Sequence, residues 1–325
     1  EWFQKLLPKE FMKKEEIPRD LAANNAELTR QQLPKPYVPP KCFQKSAVTL
    51  NGAENEKAGF IHANHIEFPL YGRAIATQIP LWSDNKSLRT LDAFYRMLWQ
   101  EGVEIIVLIT HPDDLKRNDI KLPSHSIVGG CVETENFRMT TSESGDPDEL
   151  NEKELRFENL AGGEKEIRIL KQYTISNWAN GGGPQSQATR DAVRRAHILT
   201  RCKSKPIAVV CLDGAQRAGS FLGIEYLRQM VIDNIKTAKI ERFTAEMRTY
   251  RDGAIGSPEA LYFTILMALQ IMIDEGYIPE LTRRMRTQWD YYTYFMDVEY
   301  DKQMRKLREE KKLTRKQSKL LSRKG

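Results

Sequence analysis

The residues best suited to chemistry lie together in Lys205–Met230, which reads KPIAVV-CLDGAQRAG-SFLGIEYLRQM. A buried-strand pattern, Pro206–Val210, leads into a loop, and the loop leads into a helix predicted over Ala218–Ile232. Cys211 opens the loop and Arg217 closes it six positions later. Such a loop, formed by Cys211, Leu212, Asp213, Gly214, Ala215, Gln216 and Arg217, can wrap backbone N–H groups around an anion, helped by the helix dipole. The same field favours a thiolate at Cys211, and Arg217 can grip phosphate oxygens through two parallel hydrogen bonds. Attack of sulfur on a phosphomonoester needs this arrangement. A buried core cysteine with an unrelated surface arginine would share the spacing. The strand–loop–helix context is what sets Cys211 apart from the other three cysteines.

The elements that must position this loop follow from periodicity and turn residues. Strand-like runs fall at Ala47–Leu50, Ile75–Gln78 and Ile105–Thr110, with an amphipathic helix over Leu91–Gln100 between the last two. Residues 123–172 alternate polar and apolar around Gly129–Gly130 and Gly162–Gly163, which predicts antiparallel β-structure. Helices are predicted over Thr189–Thr200, Glu241–Tyr250 and Glu259–Glu275. Residues 1–30 read as amphipathic helix through Trp2, Phe3, Leu6 and Leu7. Residues 31–42 hold four Pro in twelve positions and read as extended, because Pro lacks the amide donor and restricts its predecessor. The order fits an α/β domain, a mixed sheet flanked by helices.

Composition narrows the class. The chain has 325 residues, 40% of them hydrophobic, with 12 Phe, 12 Tyr and 5 Trp, enough for a substantial core. The apolar stretch Ala260–Ile273 is interrupted by Thr264 and Gln270 and is too short to span a bilayer. The opening EWFQKLLPKEF lacks a signal-peptide pattern. Four Cys make no disulfide framework and show no metal-ligand spacing, so a reducing compartment is expected. The five His (62, 65, 111, 125 and 197) form no ligand cluster, and no metal or cofactor is expected. The net charge of +6 misleads until it is located. Residues 301–325 carry 11 Lys or Arg against three acids, leaving the other 300 residues at −2. The net charge of the folded part therefore gives no basic-patch argument for nucleic acid.

With these residues in hand, the chain resembles the protein-tyrosine phosphatase family, specifically its Cys-based tyrosine-specific domain. Gly59–Ile66 (GFIHANHI) is similar to the family's YINAS-I stretch, and Ile75–Leu81 (IATQIPL) to its IATQGPL. Phe94–Gln100 (FYRMLWQ) resembles FWRMVWE, and Ile105–Thr110 the strand after it. Trp178–Pro184 (WANGGGP) sits where the mobile WPDxGVP loop belongs, and Met247-Arg248 resembles the helix before the glutamine loop. The resemblance spans about residues 35–275. It implies a highly twisted mixed β-sheet flanked by helices, a domain over 35–295, an N-terminal helical extension over 1–34 and a basic tail over 296–325.

The chain departs from the family's pattern where catalysis is done. Val210 replaces the His whose hydrogen bonds depress the thiol pKa, and Ala218 replaces the hydroxyl residue that steadies the leaving thiolate. Asp213 puts a carboxylate beside a site built for a dianion, a repulsion of about a few kcal/mol at an effective dielectric near 20. Some receptor-type relatives known as inactive carry a similar Asp. Gln216 replaces a Gly before the arginine, against close backbone approach. In the mobile loop (Trp178, Ala179, Asn180), Asn180 stands for the general-acid Asp, whose loss costs roughly 10²–10⁴-fold. Ala179 replaces Pro. The water-positioning glutamines align with Gly256 and Ala260. Tyr37 matches the aromatic that walls the phosphotyrosine pocket, Pro39 the anchoring acid, and Asp113 or Asp114 the acid that braces the loop arginine.

These losses together imply a pseudophosphatase, a regulatory scaffold or phosphotyrosine-protein binder with no functional catalytic set. Two versions differ in mechanism: Arg217 and the loop amides hold phosphotyrosine without hydrolysis, or Asp213 fills the cradle and partners bind elsewhere. A weakly active phosphatase using Cys211 as nucleophile is the alternative within the family. The chain also resembles a nematode group of such proteins that acts in the oocyte-to-embryo transition by binding a tyrosine-phosphorylated kinase. That resemblance implies a protein partner of this kind and a cytoplasmic location, at the cell cortex. A different class of reading gives the work to the tail: Lys302–Lys324 can bind acidic lipid or an acidic protein, although runs of Lys and Arg are commonly just solvated.

Overall fold

The computed structural model describes residues 40–52, 59–80, 90–117, 120–122, 129–144, 150–161, 166–179, 181–201, 203–234 and 238–278, with 287 and 290. The expectations for the helix over 1–30, for Tyr37, Pro39 and Asn180, and for the tail over 296–325 lie outside these residues. The chain divides into two units, Glu1–Asp274 and Glu275–Gly325. Everything below belongs to the first.

Nine strands form one mixed sheet among the described residues. They are β1 (Ala47–Thr49), β2 (Phe60–Glu67), β3 (Arg73–Gln78), β4 (Ile105–Ile109), β5 (Cys131–Glu133), β6 (Phe137–Ser144), β7 (Leu150–Asn159), β8 (Glu166–Ile175) and β9 (Ile207–Cys211). Their order is β1-β2-β3-β9-β4-β8-β7-β6-β5. The four central strands β3, β9, β4 and β8 run parallel; the flanking pairs are antiparallel. Unbroken apolar runs occupy the centre, IIVLI in β4 and IAVVC in β9, each buried along its whole length. Strands covered on both faces have no solvent side on which to place alternate polar residues.

Helices α1 (Leu91–Gln100), α2 (Pro112–Arg117), α3 (Gln187–Thr200), α4 (Gln216–Asn234), α5 (Ile240–Tyr250) and α6 (Pro258–Asp274) complete the unit. On the α1 face, Tyr95 meets Phe157 edge-on with ring centres 5.5 Å apart, and Trp99 meets it at 5.3 Å. This aromatic group ties α1 to the antiparallel strands β6 and β7. Helix α4 packs against β9 and α6. The apolar stretch of α6, from Ala260 to Met272, is buried against the domain as its composition required.

Two helices begin two residues earlier than periodicity indicates, and capping explains both. Helix α3 starts at Gln187, not Thr189, because the Ser186 hydroxyl accepts the Thr189 N–H at 3.0 Å. Helix α4 starts at Gln216, not Ala218, because the Asp213 side chain takes its first free N–H groups. Arg217 therefore stands in the first turn of α4 instead of closing the loop. Strand β2 and the short helix α2 had no periodic signature of their own.

Candidate functional site

Strand β9 delivers Cys211 as its last residue, opposite Gln78 of β3. The Ile79 N–H donates to the Cys211 carbonyl at 2.8 Å, so the sulfur's position is fixed by the sheet. Residues 212–215 then turn the chain into α4. Gly214 makes this turn at φ +64, where a Cβ would lie 2.3 Å from the backbone of Thr77 and Gln78. No other residue fits there without moving β3.

The cradle of backbone N–H groups expected around an anion is present, and the chain supplies the anion. The Asp213 Oδ1 accepts N–H groups from Ala215 at 2.9 Å and Gln216 at 3.1 Å. The same oxygen accepts the Cys211 thiol at 3.2 Å. Asp213 is buried, 1% exposed, at the helix N-terminus where a carboxylate is most favoured.

The helix field that favours a thiolate in such a loop does not prevail here. The Cys211 thiol is pushed up from 9.0 to about 12, first by complete burial and next by the Asp213 charge. Arg217 and the Ala218 N–H, which donates to the sulfur at 3.4 Å, act in the opposite direction without prevailing. At neutral pH the sulfur is therefore held as the thiol. Burial leads here, ahead of the substitutions to which the loss of ionisation was first traced. Val210 is a buried strand residue paired with Thr77 and Leu108, and Ala218 brings its backbone N–H but no hydroxyl.

Arg217 is 2% exposed. Its Nη1 donates to the Trp178 carbonyl at 2.7 Å and lies 3.2 Å from the Asp114 carboxylate. Of the two candidate acids, Asp114 on α2 is thus the one that braces the arginine. The Arg217 Nε is buried with no hydrogen-bond partner among the described residues. Trp178 is fully buried, donates its indole N–H to the Gly182 carbonyl at 2.8 Å and meets Phe263 edge-on at 5.2 Å. Ala179 follows it, half-buried.

The positions aligned with the water-positioning glutamines have other occupants. A Cβ at Gly256 would lie 2.7 Å from the Gln216 side chain, so Gln216 fills the space above residue 256. Ala260 is buried in the first turn of α6, its N–H accepted by the Ser257 hydroxyl at 3.1 Å.

The sequence reading missed what holds the loop from behind. Arg251, fully buried, donates from Nε to the Gly214 carbonyl at 3.0 Å and from Nη2 to the Asp213 carbonyl at 2.9 Å. Its remaining partners include the Asn64 side-chain oxygen, His62 Nδ1 at 3.0 Å and the His62 carbonyl at 3.4 Å. His62 in turn reaches the Pro40 carbonyl through Nε2 at 3.1 Å. Burial, and then the Arg251 charge, hold His62 well below its usual range. It is neutral, donating through Nε2 and accepting through Nδ1. The available signal was the pair His62 and Asn64, two polar residues two apart on the strand face they share with Phe60 and Ile66.

Comparison with known proteins agrees with this architecture. The family model described as protein-tyrosine phosphatase matches residues 35–270. Tyrosine-protein phosphatase 99A of Drosophila melanogaster is 24% identical over 262 residues, 78% of this chain and 19% of that protein. Receptor-type tyrosine-protein phosphatase-like N of Mus musculus is 27% identical over 194 residues, 59% of this chain and 19% of that protein. The chain thus spans about a fifth of the length of these relatives. A solved structure of PTPN18 in complex with HER2 phosphopeptides superposes with a TM-score of 0.62 at 22% identity, covering 77% of this chain and 91% of that one. It shares the twisted mixed sheet flanked by helices. Among the described residues, no helix is long and apolar enough to cross a membrane.

Proposed function

The chain belongs to the protein-tyrosine phosphatase family, and we propose that it serves there as a pseudophosphatase, a regulatory scaffold that binds protein partners and does not turn over phosphotyrosine. The observation that carries this reading is the Asp213 carboxylate, seated on the Ala215 and Gln216 N–H groups and 3.2 Å from the Cys211 sulfur. An incoming phosphate must displace that carboxylate or share the cradle with it. At separations of a few ångströms the repulsion is about a few kcal/mol. The sulfur it meets is a thiol, which is a poor nucleophile.

The remaining departures support the same reading through the family resemblance. Asn180 cannot protonate a leaving tyrosyl oxygen, Val210 and Ala218 give the sulfur no side-chain support, and Gly256 and Ala260 cannot orient water. The proposal takes the domain as residues 35–295, with 1–34 as a helical extension and 296–325 as a basic tail available to acidic lipid or protein. It sets the protein in the cytoplasm, at the cell cortex.

One observation favours a second reading, in which the loop still holds phosphotyrosine without hydrolysing it. The Arg217 Nε is buried and lacks a partner among the described residues, and PTPN18, which shares the fold, binds HER2 phosphopeptides. The partner on this reading is a tyrosine-phosphorylated kinase.

Phosphate release from a phosphotyrosine peptide, measured for the full chain and for Cys211→Ser, tests the main proposal. Equal release from both, at the background rate, is expected. Release by the wild type that disappears in Cys211→Ser would make the chain a weakly active phosphatase.

A further inference from the structure

The parallel strands end at the Cys211 loop, and their opposite ends carry a second concavity. Its floor is apolar, built from Phe68, Ile207, Phe221 and Leu222, and its rim is cationic, with Arg73, Arg201, Lys203 and Lys205. The concavity has a volume of ≈ 30 Å³, room for about one or two waters. His197 lines the cleft, and its Nδ1 is buried with no hydrogen-bond partner among the described residues.

The lip of the cleft is apolar, exposed and held still. Leu70 and Tyr71 are 43% and 44% exposed in the turn between β2 and β3. Gln229 of α4 clamps that turn. Its side-chain oxygen accepts both of their N–H groups, at 2.9 and 3.1 Å, and its amide donates to the Tyr71 carbonyl at 3.1 Å. On the α3 side Ile198, 44% exposed, precedes Arg201 by one helical turn. Of the six large hydrophobic side chains exposed among the described residues, Tyr71 lines the cleft, and Leu70 and Ile198 neighbour its lining residues Tyr71 and His197 in the sequence. An exposed apolar side chain beside a concavity offers a partner's apolar side chain surface to bury.

Charge names the occupant. The acids at the cleft are already engaged: Glu225 lies 3.0 Å from His197 and 3.2 Å from Arg228, and Glu101 lies 3.3 Å from Arg73. Lys203 and Lys205 are exposed and form no ion pair within the described residues. The excess at the rim is positive.

We propose that this cleft docks a short acidic segment of a partner protein, with one apolar side chain of that segment seated against Tyr71 and the apolar floor. The rim lysines select the acids and steer the approach. A water in the cleft can bridge the buried His197 Nδ1 to an N–H of the segment. None of this uses the phosphate loop, so the proposal stands or falls apart from the reading above.

Fluorescence anisotropy with the full chain tests it, using two labelled peptides of equal charge. One carries Leu-Phe between blocks of Glu and Asp; the other has Ser-Ser there. The basic tail attracts both alike, so the gap between them reports the cleft. The Leu-Phe peptide is expected to bind at least tenfold more tightly, with the gap lost in Lys203→Glu/Lys205→Glu and in Tyr71→Ser but kept in Arg217→Met. Circular dichroism melts confirm that the variants are folded. Equal binding of the two peptides, or a gap that survives both cleft variants, overturns the proposal. So does a dimer, present without peptide, that Tyr71→Ser dissolves, since a second copy would then be the occupant.

Discussion

The Asp213 carboxylate lies 3.2 Å from the Cys211 sulfur and binds the two backbone N–H groups that open helix α4. A carboxylate in that place does three things at once. It caps the helix, it raises the thiol pKa, and it occupies the position of an incoming anion. Each consequence can be measured.

Replacing Asp213 by Asn keeps an oxygen for the helix cap and removes the charge. The second-largest cause of the high thiol pKa disappears, while burial, the largest, remains. Alkylation of Cys211 by iodoacetamide should then become measurable at a lower pH than in the wild type, though still above the ordinary thiol range. Identical pH profiles for the two proteins would show that burial alone sets the thiol.

Stability should carry the mark of the same thiol. Because its pKa is raised in the folded state, Cys211 contributes stability that is whole below its ordinary value of 9.0 and is lost as pH rises toward about 12. Over that window the wild type should lose stability relative to Cys211→Ser by up to about 1.4 kcal/mol per pH unit. Urea denaturation of both proteins at pH 8, 9.5 and 10.5 reads the difference. Parallel curves would contradict the raised pKa.

The parts legible in the sequence and the parts that were not divide on locality. Helix α1 is a contiguous pattern and lies where periodicity put it, and the cysteine and arginine six apart mark the strand–loop–helix junction, although Cys211 ends β9 and Arg217 stands inside α4. The choice between Asp113 and Asp114 depended on which face of a six-residue helix meets Arg217, and a helix so short has no periodicity to read. Arg251 lies 37 residues from Gly214 and 187 from Asn64 in the chain, so nothing local announces their contact. The Asp213 carboxylate was identified as an obstacle to phosphate; its second role as a helix cap had shown no sign, although Asp is a favoured residue there.

Removing Arg251 tests that long-range support. Arg251→Met leaves the Asp213 and Gly214 carbonyls and the His62 and Asn64 side chains buried without their donor. A loss of at least about 3 kcal/mol is expected. Arg251→Lys should recover part of it. Thermal melts of the three proteins suffice, and a change below about 1 kcal/mol for Arg251→Met would deny the arginine its role.

Gln216 and Gly256 should behave as a coupled pair. A side chain at 256 collides with Gln216, whose Cδ lies 2.7 Å from the Cβ position. Gly256→Gln alone should cost about 1–3 kcal/mol, and adding Gln216→Gly should return most of it. Additive effects in the four-protein cycle would mean the two residues do not share that space.

The most direct test of the account is a calorimetric titration of a phosphotyrosine peptide into the wild type and into Asp213→Ala, with phosphate release followed in the same samples. The account predicts no saturable heat from the wild type at millimolar peptide, binding at least tenfold tighter in Asp213→Ala, and no phosphate release from either. Equal binding by the two proteins would contradict it, because the carboxylate would then not be what fills the cradle.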